Sequence, residues 1–245
     1  MSTRRQSLDE VKPGQTTNAG LWLDKYISDQ ARENEESRRT LVKDVAGFPL
    51  PPEYVGFFER WKAALAMIPA EMREASVRER MAVGLGEESV IDISVALHHT
   101  YGVPYIPGSA LKGLAASYAS QKLDAASWGK DSPAYRTVFG GTQEAGFVTF
   151  FDALYVPGSG RNGKALHLDV VTVHHRDYYQ QGHRPPADWD SPTPIPFLST
   201  TGKYLVALAG PAEWVKTTLE ILALALAETG VGAKTVAGYG YMQVS

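Results

Sequence analysis

Apolar residues recur at Val55, Phe58, Trp61 and Leu65, a spacing that predicts an amphipathic helix over residues 53–67. Further along, the period changes. Ile91, Ile93 and Val95 alternate with Asp92 and Ser94, which predicts a strand over residues 90–97. Residues 80–86 are β-rich, and further strands are predicted at 146–156, 166–173, 202–209 and 239–244. A helix opens at Ser109, a good N-cap residue, and runs through helix formers to Tyr118. A second spans 212–228, with Trp214, Leu219, Leu222 and Leu226 among its apolar positions. Residues 21–46 read as a charged helical segment whose solvated face carries Arg32, Glu33, Glu35, Glu36, Arg38 and Arg39. Residues 47–52 are a proline-rich break, and residues 1–17 read as disordered. Residues 174–196 are long, aromatic and broken by prolines, which predicts an insertion. The order strand, helix, strands, helix, strand is the split βαβ plan, used by RRM-like RNA binders. The expected fold is therefore α+β. It is an RRM-like (ferredoxin-like) domain with insertions over 79–245, behind a helical N-terminal extension over 1–78.

Two turns carry candidate chemistry. In residues 101–118, Pro104 and Pro107 stiffen the entry to the helix, and Gly108 frees the backbone. Lys112 falls in the opening turns, where the helix dipole disfavours a cation. A lysine beside a Gly-Ser turn and free N–H groups suits an anion site; the alternative is a solvated lysine on a well-capped helix. The second turn is Gly230-Val231-Gly232-Ala233-Lys234, continuing to Gly240. It is not a Walker A loop, which needs glycine directly before the lysine and a helix directly after. Its glycines can instead turn N–H groups outward as an anion nest, with Lys234 adding charge; the alternative is a flexible connection.

These motifs resemble the RAMP superfamily, the CRISPR-associated proteins built on RRM-like folds. PYIPGSALKG is similar to its PGSSLKG-type segment, and residues 230–240 to its C-terminal glycine-rich loop. Further matches are Gly20 to Tyr26, Phe150-Phe151-Asp152-Ala153, Leu168-Asp169-Val170, and the segment from His174 to Leu198. They narrow the resemblance to a subunit of the Cmr-type (type III-B) CRISPR effector complexes. Ala110 stands where the family usually has a second serine, and Leu114-Ala115-Ala116 lacks an arginine often found there. The resemblance implies a non-catalytic structural subunit that grips guide RNA and target RNA by their backbones and docks other RAMP subunits. It implies no cofactor. The RNA contacts expected on this basis are Ser109, Lys112, Gly230, Gly232 and Lys234, joined by Arg176, Tyr178 and Tyr179 of the insertion. Aromatics and arginines there suit stacking on bases and pairing with phosphates, or equally a hot spot against a neighbouring subunit.

Composition changes this picture in two ways. The 245-residue chain has a net charge of −3, so any basic strip must be local. It contains no cysteine, which excludes disulfides, thiolate metal sites and cysteine catalysis. His98-His99 and His174-His175 are adjacent pairs; in a strand such neighbours face opposite ways and cannot both ligate one metal. No metal is expected. A general-base role for His98 or His99 beside Lys112 is the enzymatic alternative, a metal-independent guide-RNA-processing endoribonuclease. The start of the chain lacks a signal-peptide pattern and no apolar run reaches membrane-spanning length, so a cytoplasmic location without membrane contact is expected.

Target-cleaving members of the superfamily carry an aspartate ahead of the lysine motif; residues 98–103 contain none, and Asp92 is the nearest acid. Purified chain in magnesium buffer is therefore expected to leave guide-complementary RNA intact. Cutting that Asp92→Ala abolishes would contradict this.

Overall fold

The computed structural model describes residue 8 and residues 11–27, 35–85, 95–173 and 193–245. The strand expected at 90–97 falls mostly outside these residues, as do the start of the N-terminal tail and most of the predicted insertion, with Arg176, Tyr178 and Tyr179. Three helices come first: α1 (Ala19–Lys25), α2 (Glu35–Ala46) and α3 (Pro52–Met67). They lead into β1 (Ala70–Val77), β2 (Tyr105–Ile106) and α4 (Gly108–Lys122). Then follow α5 (Ala125–Trp128), α6 (Pro133–Phe139), β3 (Thr149–Phe150), β4 (Ala153–Tyr155), β5 (Leu166–Val173) and β6 (Thr193–Thr200). The chain closes with β7 (Lys203–Ala209), α7 (Ala212–Glu228) and β8 (Met242–Val244).

The architecture is mixed α and β, with an antiparallel sheet ordered β2-β4-β7-β1-β8 and β3 also paired to β7. Its backbone is the β1–β7 ladder, from Ala70 opposite Ala209 to Ser76 opposite Lys203. β1 precedes the β-rich stretch expected from sequence. It was hidden because Glu71, Arg73 and Glu74 interrupt any apolar alternation. A strand hydrogen-bonded on both edges, by β7 and β8, does not need that alternation to form. Tyr204 to Leu208 are all buried, and α4 and α7 supply Leu111, Ala115, Ala119, Leu219, Leu222 and Leu226 to the same core.

The N-terminal segment divides. Tyr54, Phe58 and Leu65 of α3 belong to the main core, where the Tyr54 hydroxyl donates to the Tyr155 carbonyl at 2.7 Å. Helices α1 and α2 form a second core with the separate β5–β6 ribbon, from Trp22, Leu23, Leu41, Val42, Val45, Leu166 and Leu198. Residues 193–196 are strand, correcting the expectation that the insertion runs to Pro196. The Thr200 N–H turns away from β5 to bond the Met81 carbonyl. Pro194 and Pro196 share that parity, so their missing N–H groups cost the ribbon nothing and blunt its outer edge.

The start of α4 differs from expectation. Pro107 occupies the cap position with no side-chain bond, and Ser109 is exposed. The Asp152 carboxylate instead accepts from the Gly108 N–H at 2.7 Å. A Cβ at Gly108 would collide with the Phe150 carbonyl, so glycine here lets the helix start sit against residues 150–152, between β3 and β4. Asp152→Ala is expected to cost about 1 kcal/mol, as for loss of an N-cap acceptor, and Ser109→Ala almost nothing. Urea denaturation checks both, and the reverse ranking would contradict this capping scheme.

Candidate nucleic-acid interface

Beyond α7 the chain turns through a loop whose glycines are required by contact. Gly232 has φ +86°, and a Cβ there would strike the Ala82 carbonyl. Gly240 has φ +77°, and a Cβ would strike the Val231 carbonyl. With those side chains absent, the loop lies against the segment that leaves β1. Ala233 N–H donates to Ala82 O at 2.8 Å, Gly240 N–H to Arg80 O at 2.7 Å, and Val231 N–H to Gly240 O at 2.9 Å. A 3₁₀ turn, Thr235–Ala237, closes the tip: Ala237 N–H reaches Lys234 O, and Gly238 N–H reaches Thr235 O.

The loop is thus a clasp rather than an open nest. Most of its N–H groups are spent on the protein. Those of Gly232, Lys234, Thr235 and Val236, around the tip, have no backbone acceptor among the described residues. Lys234 adopts a left-handed backbone (φ 61°), and its Nζ lies 5.6 Å from the Phe197 ring centroid. Val236 at the tip is fully exposed.

Tyr239 ties the clasp to the β5–β6 ribbon. Its hydroxyl donates to Asp169 at 2.7 Å, and its ring lies 6.0 Å from that of Phe197. Burial, then the bond to Asp169, pushes the Tyr239 phenol up to about 12. The second Asp169 oxygen accepts the Val170 N–H at 3.0 Å.

Cations gather beside the clasp. Arg80 supplies one clasped carbonyl, and one of its guanidinium nitrogens is buried without an acceptor. The His167 ring lies 3.0 Å from Thr201 Oγ1. Burial lowers its pKa and Arg80 lowers it further; the hydrogen bond to the Lys164 carbonyl opposes this, and the charges of Arg161 and Lys164 add to the lowering. Arg80, Arg161 and Lys164 thus lie within electrostatic reach of the His167 ring, on a chain that is acidic as a whole. Arg80, Arg161 and Lys164 escape sequence inspection because they are scattered and form no motif.

Ser109 and Lys112 do not join this group. The start of α4 is anchored at Phe150–Asp152, where Phe151 N–H bonds Ala207 O, and Ala207 faces Met72. The clasp returns to the sheet at Met242, which faces Val77. Met72 and Val77 are about 17 Å apart along β1, at about 3.3 Å per residue. The structure therefore brings Gly230, Gly232 and Lys234 together and sets Ser109 and Lys112 apart from them.

His98 sits in an aromatic cluster, 5.3 Å from Phe57 and 5.2 Å from Tyr101 between ring centroids. Its Nδ1 accepts the Thr100 N–H. Burial lowers its pKa, the Asp152 carboxylate opposes this, and His99 adds to the lowering. His99 is exposed, and its carbonyl accepts from the Asn18 side-chain amide. Among the described residues no group of three His, Asp or Glu side chains is disposed to hold a metal ion, and no helix is long and apolar enough to cross a membrane.

Residues 74–243 match the family model of the RAMP superfamily. The chain belongs to the RAMP superfamily. This RAMP protein is 30% identical to the CRISPR system Cmr subunit Cmr6 of Pyrococcus furiosus, over 76% of this chain and 72% of that protein. Its fold is similar to that of a chain in a cryo-EM structure of the type III-B Cmr-beta complex bound to cognate target RNA. The TM-score is 0.66 at 20% identity, covering 86% of this chain and 71% of that chain. A crystal structure of Cmr6 from Pyrococcus furiosus aligns at 30% identity with a TM-score of 0.46, covering 72% of the RAMP protein and 98% of that chain.

His98 and His167 both have folded pKa values below the usual value of about 6.5. The unfolded chain then binds more protons, so their contribution to stability is full above about pH 6.5 and lost as pH falls below it. Tm is expected to drop on acidification through this range. Combining His98→Phe with His167→Asn should flatten that drop, and an unchanged pH profile would contradict it.

Proposed function

We propose that this chain is a non-catalytic RNA-binding structural subunit of a type III-B CRISPR RNA-guided complex. It grips the backbone of the guide RNA and target RNA and docks neighbouring RAMP subunits. The observation that carries this is the hydrogen-bonded glycine clasp, which holds Lys234 against Phe197 and closes on the backbone of Arg80. A fixed lysine with unspent N–H groups around it suits phosphate oxygens and carries no base specificity. Similarity to Cmr6 supports the assignment to a Cmr-type complex and, with it, a cytoplasmic location.

The same reading makes the domain an RRM-like split βαβ unit. With β2 and the β5–β6 ribbon set aside as additions, β1, α4, β3 with β4 (both paired to β7), β7, α7 and β8 run in the β-α-β-β-α-β order of that plan. The unit then opens at Ala70, not after residue 78, and α1 and α2 are the helical extension. Catalysis belongs to other subunits, because His98 is occupied in packing rather than presented to a substrate.

The test is reconstitution with guide RNA and the partner subunits. Lys234→Glu is expected to weaken retention of guide RNA by tenfold or more while subunit assembly persists, because it replaces attraction to a phosphate by repulsion. Unchanged RNA retention would overturn the gripping role; lost assembly with intact RNA binding would make the clasp a protein contact.

A further inference from the structure

An open groove of about 390 Å³ lies at the Val77 end of the sheet, between the exit of β1, the start of β7 and the loop before β5. Arg78, Arg161 and Lys203 line it together with the hydroxyl residues Ser76, Ser159 and Thr201. Its one acid is Glu79, and its one large apolar residue is Val77. Backbone bonds fix the rim: Val77 N–H to Gly202 O, and Arg78 N–H to Tyr241 O, both at 2.9 Å. The Ser159 hydroxyl accepts from Lys203 N–H at 2.8 Å, and that of Thr201 accepts from Arg161 N–H at 3.0 Å. Lys203 is held by Glu74 at 2.9 Å. Arg78 and Arg161 are exposed, and their side chains have no hydrogen-bond or ion-pair partner among the described residues.

We infer that this groove is a second phosphodiester-binding site, continuous with the glycine clasp, and that it holds a single RNA strand through Arg78 and Arg161. The inference rests on the proposed RNA-binding role and extends it to residues outside both glycine turns. Three features favour RNA over a protein partner. A protein hot spot is built around aromatic or aliphatic anchors, and this groove offers only Val77. Two unpaired guanidinium groups side by side in the groove suit phosphate oxygens, which arginine engages with two donors at once. The groove is also joined to the clasp: Tyr241 directly follows Gly240 and holds the backbone of Arg78, while His167 links Thr201 to the field of Arg80. The clasp and the groove thus share one stretch of chain, Gly240–Tyr241, against residues 78–80.

The experiment measures binding of the full chain to a fluorescent oligouridylate by anisotropy across a KCl series. Each phosphate contact on a single strand contributes about 0.7 to the slope of log K against log salt. Arg78→Ala with Arg161→Ala should lower that slope by about 1.4, which is about a 25-fold loss of affinity at about 0.1 M salt. Because both side chains are unpaired, Tm should stay at the wild-type value. Lys122→Ala with Lys216→Ala, which removes the same charge from exposed helical positions on α4 and α7, should leave the slope unchanged. If wild type binds and the arginine pair keeps its slope while Lys234→Glu loses binding, the groove proposal is overturned and the clasp stands. Equal losses in the arginine and lysine pairs would also overturn it, reducing the effect to net charge. If wild type does not bind RNA at any salt concentration, the groove and the RNA-gripping role both fall.

Discussion

Two backbone hydrogen bonds, from Ala233 and Gly240 to the carbonyls of Ala82 and Arg80, organise the end of this molecule that carries the candidate interface. They form only because Gly232 and Gly240 bring no Cβ into the gap. Once formed, they lock the loop after α7 onto the chain leaving β1. Lys234 is far in sequence from Arg78 and Arg80, yet the clasp holds it at the same end of the sheet. The net charge of −3 does not oppose a polyanion there. Screening confines what a phosphate feels to about 8 Å at physiological salt, so nearby cations outweigh distant carboxylates.

The clasp in turn depends on what stands behind it. The β1–β7 ladder sets the height at which β1 ends, and β8 takes its register from Val77 and Ala75. On the other side, Asp169 receives the Tyr239 hydroxyl and thereby joins the clasp to the β5–β6 ribbon. That ribbon is supported by α1 and α2 through a core separate from that of the main sheet. The N-terminal helices thus bear on the candidate interface indirectly, by holding the ribbon that carries Phe197 and Asp169.

Strongly periodic elements were legible in the sequence. Helices α3 and α7 lie where apolar spacing put them, and the glycine spacing marked the loop. Features decided by distant partners were not legible. β1 reads as a polar segment because its pairing on both edges, not its own alternation, makes it a strand. Ser109 has the chemistry of a cap, yet Asp152, 44 residues from Gly108, accepts the Gly108 N–H. Pro194 and Pro196 look like breakers, and only the parity of the ribbon makes them harmless. The two glycine motifs suggest a shared site for Lys112 and Lys234; anchoring of α4 on Phe150–Asp152 separates them. The groove cations come from three separate segments, at residues 78, 161 and 203, which no linear motif joins.

The most direct test is photo-cross-linking of the assembled particle, with 4-thiouridine in the guide RNA and mass spectrometry of the linked peptides. The account predicts cross-links in residues 230–241 together with residues 76–80 or 159–167. Cross-links confined to the start of α4 around Lys112, with none at the clasp or groove, would contradict it.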